Sequence, residues 1–386
     1  MFGDDSGSRM HANMRRQIKQ HSTRMKMAKV FRAGVGILIL LAAGKSLAGP
    51  VGEMHRVTAD PTASLRDAEH RPELRITVWY PAATDAIERN VVIGPPGKPL
   101  FDVGSVAPDE AFASAAGRRP VILFSHGFGG SAMMMGWFGI AMARDGYIVV
   151  AVDHPGNNGV DTMTVAGAVL WWDRAEDLRL ALKAVAQDPV IGPHMDLSRL
   201  GVAGFSAGGF TSLVAAGAQV DPAHFERFCK ANPDDGVCRP QKEATFTERD
   251  RDALFKRLDI QAELAHATDD RTIAQVRAAF VMAPALVQAL APASLEHLRT
   301  PVEIMLGDAD VTAPPATNGL VAARTIPNAS LIRLPRVGHT DFLSACTELG
   351  RANVPICKMD VPQADTHLQA INAAQVFFDR QLGVTH

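Results

Sequence analysis

Short apolar runs recur along the chain, and most are followed, after a turn, by a stretch with helical spacing. Continuous runs at Pro120–Ser125, Tyr147–Val152, Leu200–Ala203 and Ala278–Met282 suit central parallel strands covered on both faces. Val302–Leu306 continues the series and Ser330–Leu334 ends it. An earlier run, Glu73–Tyr80, alternates apolar and polar residues and stops at Pro81, as a half-exposed strand would. Between these lie expected helices over 131–144, 172–186 and 209–216, with a closing helix over 364–381. In the second of these, Leu178, Leu182 and Val185 share one face, while Arg174, Asp177 and Lys183 fall on others. Residues 82–119 hold many Pro and Gly without a period, so a long loop is expected there. From 219 to 276 the texture turns polar and loses its strand-like runs. A mostly helical insertion is expected, its clearest helix over 249–265. Strand and helix otherwise alternate, which predicts an α/β protein with a mostly parallel central sheet and helices on both faces.

Composition narrows the picture. The 386 residues are 47% hydrophobic, enough for a large buried core. With 39 basic and 41 acidic side chains the net charge is -2, so no field draws nucleic acid. The one lopsided stretch is the N-terminus, where Arg15, Arg16, Lys19, Arg24, Lys26, Lys29 and Arg32 precede the apolar run Ala33–Ala43 and the small residues Ser46 and Ala48. That order predicts a secretory signal over 1–48, cut after Ala48, with the mature domain at 49–386. The run falls short of the roughly 20 apolar residues of a membrane span, so no stable anchor is expected. Its distance from Met1 points to translation starting at Met25 or Met27. Export places the mature chain in the periplasm or outside the cell.

The four cysteines form two local couples, Cys229 with Cys238 and Cys346 with Cys357, set among polar residues. In an oxidising compartment each couple closes a small loop, worth about 3 kcal/mol by loop entropy. Four cysteines allow three connectivities, of which the local one is expected. No zinc-type spacing and no H-E-x-x-H occurs, so neither metal nor cofactor is expected.

Chemistry is sought at the carboxyl ends of the strands, where open parallel sheets bind ligands. Gly204-Phe-Ser-Ala-Gly208 follows one apolar run and precedes a helix, the order of a nucleophile elbow presenting Ser206. His126-Gly-Phe-Gly-Gly130 is a glycine-rich turn into a helix, and the N–H groups of Phe128 and Ala207 would together form an oxyanion hole. Gly307-Asp-Ala-Asp310 offers two acids, Asp308 and Asp310, either able to orient a histidine. Gly338-His-Thr-Asp-Phe342 supplies that histidine, His339, last in the order serine, acid, histidine. His154, in Asp153-His-Pro-Gly156, precedes the serine and is expected in the pocket wall or a structural turn. Trp171 and Trp172 are candidates for an apolar acyl pocket. Met133 to Met135, Trp137 and Phe138 also follow a strand end near the site, although core packing suits the Met run better.

Taken jointly, Trp79-Tyr-Pro81, the His126 and Asp153 turns, the Ser206 elbow, Gly307 to Asp310 and Gly338-His339 resemble an α/β-hydrolase. The likeness is to the dienelactone-hydrolase-like branch that includes platelet-activating-factor acetylhydrolase relatives and polyester hydrolases, and it covers roughly Val51 to Leu382. It implies the α/β-hydrolase fold, a Ser206–His339–Asp310 triad with Asp310 as the acid, and hydrolysis of a small-molecule or lipid-like ester. Dienelactone hydrolases proper use a cysteine where Ser206 stands. Segment 219–276 departs from the compact polyester hydrolases and is expected to act as a lid. A lipase or phospholipase, a serine peptidase or amidase, and a non-catalytic binding protein on the same fold are the alternatives.

Overall fold

The computed structural model describes residues 49–114, 117–241, 243–244 and 246–385. The expected signal segment 1–48 lies outside the described residues. The strands are β1 Val51–Ala59, β2 Glu73–Pro81, β3 Arg89–Ile93, β4 Phe101–Pro108, β5 Arg119–Ser125, β6 Ile148–Asp153, β7 Met195–Phe205, β8 Val276–Met282, β9 Val302–Gly307, β10 Ala329–Leu334 and β11 Ala345–Cys346. They join in one sheet in the order β10-β9-β8-β7-β5-β6-β2-β1-β4-β11, with β3 paired to β4 off this path. From β10 to β6 every pairing is parallel. Strand β2 runs antiparallel to both β6 and β1.

The continuous apolar runs explain the two-sided burial. Along β5, Val121 and Leu123 enter one core while Ile122 and Phe124 enter the other, the period-two alternation of a strand covered on both faces. The first core packs Ala175, Leu178, Leu182 and Val185 of the helix Asp173–Gln187 and Leu213 of the helix Ala207–Ala215. The second packs Phe138 and Met142 of the helix Gly136–Arg144 and Phe377 and Phe378 of the helix Gln363–Leu382.

Strand β5 sits between β6 and β7, so the chain leaves it in one direction and returns on its other side. This order reversal puts the carboxyl ends of β5 and β7 at the switch point of the sheet, where open α/β sheets bind ligands. The turns after these two strands carry His126 to Gly130 and Ser206.

Three expectations need correction. The stretch read as a loop over 82–119 contains β3 and β4, joined across Gly94-Pro-Pro-Gly97; the breakers belong to the hairpin's turn and hide the strands beside it. The helix expected over 249–265 is two helices, Glu248–Leu254 and Leu258–Leu264. Leu254 and Ile260 are both buried, and in one continuous helix they would point about 120° apart, so the break lets both reach the core. Finally, Arg174 and Asp177 are buried rather than on solvent faces, for reasons of pairing given below. Strand β1, which the apolar pattern does not mark, pairs along its whole length with β2.

Cys229 is bonded to Cys238 and Cys346 to Cys357. The first bridge lies in the helical insertion and the second follows the turn that carries His339.

Candidate active site

Strand β7 ends at Phe205, and Ser206 turns the chain into the helix Ala207–Ala215 with φ +56° and ψ -120°. Positive φ is costly for a residue with a Cβ, and the surroundings hold it there. Ser206 N–H donates to Met282 C=O at 2.9 Å, and Ser206 C=O accepts from Gly209 and Ala285 at 2.8 and 3.1 Å. The flanking glycines are required by space. A Cβ on Gly204 would lie 2.1 Å from Gly208 O, and one on Gly208 would lie 1.9 Å from Ser125 O. The elbow is thus pressed against both its own helix and the end of β5.

The turn after β9 supplies the acid. Asp310 is 4% exposed, and its Oδ1 accepts the backbone N–H groups of Thr312 and Ala313 at 2.9 and 2.8 Å. This leaves Oδ2 for His339 Nδ1, 2.6 Å away. His339 Nε2 lies 2.8 Å from Ser206 Oγ. The ring packs against Phe205 with centroids 4.8 Å apart, and its loop is braced by Asp341, which accepts Gly338 N–H at 2.6 Å. Asp308 instead turns outward and pairs with Arg333 at 2.8 Å. Of the two acids left open by the sequence, only Asp310 touches the histidine.

The turn after β5 passes against the serine: a Cβ on Gly127 would lie 3.2 Å from Ser206 Cβ. Among the described residues no acceptor takes the N–H of Phe128 or of Ala207. Each of the two turns that meet at Ser206 therefore holds an unengaged N–H donor.

The other candidate residues fall differently. His154 is fully buried, its Nε2 2.8 Å from Ser125 Oγ and its Nδ1 2.7 Å from Asp177 Oδ2, so it serves the turn rather than a pocket wall. Burial, reinforced by the cations Arg174 and Arg66, pulls its pKa well below the usual histidine range and keeps it neutral. Trp172 lies in the core; Trp171 is half-buried, packed edge-on against Trp172, Phe210 and Phe225. Trp137 donates its indole N–H to Phe342 C=O at 3.0 Å and stacks on His367, while Phe138 and Met135 are core. Met133 stays partly exposed. Among the described residues no group of three or more His, Cys, Asp or Glu side chains is placed to hold a metal ion.

The sheet order and the elbow can be compared with solved structures. A ferulic acid esterase from Streptomyces cinnamoneus superposes with a TM-score of 0.57 over 89% of this chain and 94% of its own, at 20% sequence identity. The chain has the α/β-hydrolase fold. The sequence model of one family, platelet-activating factor acetylhydrolase, isoform II, matches residues 103–188. That span of the chain holds the turn with Phe128 and the buried His154, and it ends before Ser206. A puromycin-hydrolyzing peptidase of Mycobacterium tuberculosis matches with a TM-score of 0.46 over 86% of this chain and 40% of its own, at 14% identity. No curated protein sequence matches. In all, 1125 solved chains share the architecture, so the fold alone leaves the substrate open. The family match is confined to residues 103–188, and the structural likeness shows the fold.

Sequence reading missed the buried partners around this site: Ser125, Asn157, Arg174, Asp177 and Thr211. The one available signal was Arg174 beside Asp177 on a helix that directly precedes the elbow strand.

Proposed function

We propose that the chain is a serine hydrolase that cleaves carboxylic esters through an acyl-enzyme, with Ser206 as nucleophile, His339 as general base and Asp310 as its orienting acid. The observation that carries this reading is the unbroken line Asp310 Oδ2–His339 Nδ1 and His339 Nε2–Ser206 Oγ, at 2.6 and 2.8 Å, ending at a strained elbow. In the first half-reaction Ser206 attacks the ester carbonyl while His339 takes its proton. Asp310 keeps the other imidazole proton on Nδ1, and the N–H groups of Phe128 and Ala207 receive the charge that develops on the carbonyl oxygen. Collapse expels the alcohol, protonated by His339, and water repeats the cycle on the acyl-enzyme. A fluorophosphonate probe tests the assignment: the tryptic peptide containing Ser206 should carry the label, and labelling of any other serine would contradict it.

Segment 219–276 is proposed as the lid of this site. In support, a Cβ on its Gly236 would meet Val311 O at 2.2 Å, and Thr317 donates to its Asp235 at 2.7 Å, so the insertion rests on the turn that holds Asp310. Its Glu243 lies against Gly129 at the other side. The proposed substrate is a small-molecule or lipid-like ester; activation by micelles would favour the lipase form of the reading. Export is proposed on the two disulfides, which suit an oxidising compartment. Among the described residues no helix is long and apolar enough to cross a membrane. N-terminal sequencing of the exported protein should begin near Gly49, and a chain retaining residues 1–48 would contradict export.

A further inference from the structure

Beneath the elbow runs a second serine–histidine–aspartate line, Ser125–His154–Asp177, with every member 0% exposed. No substrate reaches it, so its hydrogen bonds act on the protein alone. Their direction follows from the partners. Arg174 Nη2 approaches Ser125 Oγ at 3.4 Å and, as a pure donor, makes that oxygen accept. Ser125 then gives its own proton to His154 Nε2, and His154 Nδ1–H donates to Asp177. Asp177 is held from its far side by Arg66, which also binds Asp60 at 2.6 Å. Arg66 thus faces two buried carboxylates, and Arg174 meets the same line through Ser125.

The other hydrogen bonds of Arg174 reach the turns that meet at Ser206. Nη2 also donates to His126 C=O, Nη1 to Asn157 Oδ1 at 3.2 Å, and Nε to Thr211 Oγ1 at 3.2 Å. Asn157 Oδ1 accepts Gly129 N–H at 3.1 Å, so the residues on both sides of Gly127-Phe128 are tied to the guanidinium. Thr211 Oγ1 in turn donates to Ala207 C=O at 3.0 Å. One planar cation therefore connects the two turns that offer unengaged N–H groups beside Ser206. Filling this space would be easier with apolar side chains, because desolvating a guanidinium is costly. A fixed fork of donors is what the connections need, and a lysine cannot supply it.

We propose that Arg174 is the positioning residue of the oxyanion hole, locking the Phe128 turn to the Ala207 elbow, with the buried Ser125–His154–Asp177 line fixing the guanidinium from behind. This rests on the reading of Phe128 and Ala207 as the oxyanion donors. Arg174 touches no substrate; it acts through Asn157, Thr211 and His126.

The test uses the mature chain with Thr211→Val, Asn157→Ala and Arg174→Lys, all folded fractions counted by fluorophosphonate titration. Thr211→Val is nearly isosteric and severs only the elbow side. Per titrated site, kcat on a p-nitrophenyl ester should fall roughly tenfold to a hundredfold with KM within about twofold. The inhibition constant of an alkylboronic acid, whose tetrahedral adduct carries the oxyanion, should rise by a similar factor. A purely structural role would lower the number of titrated sites and leave kcat per site and boronate affinity unchanged, which would overturn the proposal. So would full activity per site in Arg174→Lys, or probe labelling of Ser125. A wild-type chain that neither takes label nor hydrolyses ester contradicts the serine-hydrolase reading instead, and that outcome is visible without any variant.

Discussion

Replacing Asp310 by Asn keeps shape and hydrogen-bonding length but reverses one bond. The carboxylate accepts three donors: Thr312 and Ala313 N–H on Oδ1, and His339 Nδ1–H on Oδ2. An amide has one acceptor oxygen, and the two backbone donors hold it in the Oδ1 position. The NH2 group then faces His339 Nδ1, and two donors cannot share that line. The ring relieves the clash by moving its proton to Nε2, the atom 2.8 Å from Ser206 Oγ. In that tautomer it cannot take the serine proton. Such a reversal costs on the order of 10⁴-fold in kcat, about 5 kcal/mol of transition-state stabilisation. Asp308→Asn makes the control. It removes only a half-exposed ion pair with Arg333, so activity should stay within about twofold and stability within about 1 kcal/mol. Initial rates on p-nitrophenyl acetate for both variants, beside circular dichroism to show folding, decide the matter. Equal losses from both, or an Asp310→Asn enzyme within about tenfold of wild type, would refute the reasoning.

Other consequences are as direct. Gly208→Ala puts a methyl 1.9 Å from Ser125 O, backbone that cannot move aside, so the variant should lose its cooperative thermal transition or melt well below wild type; an unchanged melting temperature would contradict the close approach. Opening both disulfides with dithiothreitol should lower the melting temperature by several degrees, given about 3 kcal/mol for each small loop; no shift on confirmed reduction would show that neither loop is braced by its bridge. Burial pushes the Asp173 carboxyl up to about 8, so the folded state favours its protonated form. Its contribution to stability is complete below the ordinary carboxylate range and is lost as pH rises towards 8. Asp173→Asn should therefore gain stability relative to wild type as pH rises from about 4 to about 8, read from urea midpoints at each pH, and a constant difference would count against it.

The strand ends that carry Ser206 and Asp310 are legible in the sequence because each pairs a buried run with glycine at its end, where backbones must approach closely, whereas His339 follows the mostly exposed β10 and is marked by Gly338 and by its place in the chain order. The central strands are legible for the same reason: burial on both faces leaves no polar position to interrupt them. What stays hidden follows from exceptions to these rules. Arg174 and Asp177 occupy an amphipathic helix, where charge ordinarily marks the solvent side; only the structure reveals Arg66, Asp60, His154 and Ser125 gathered around them. Strands β3 and β4 border a turn dense in Pro and Gly, and β4 carries Gly104 within it, so the breakers mask the strands. Asp308 and Asp310 differ by two residues and share a turn. Which of them faces His339 depends on Thr312 and Ala313 holding Asp310 inward, and no local pattern expresses that.

The serine-hydrolase reading is tested most directly by the hydrolysis of p-nitrophenyl esters of increasing acyl length, wild type beside Ser206→Ala. The expected result is turnover by the wild-type chain with an optimum at one acyl length, and a loss of roughly 10⁶-fold in kcat in the variant. Retention of near wild-type turnover by Ser206→Ala, or no turnover of any ester by the wild-type chain, would contradict it.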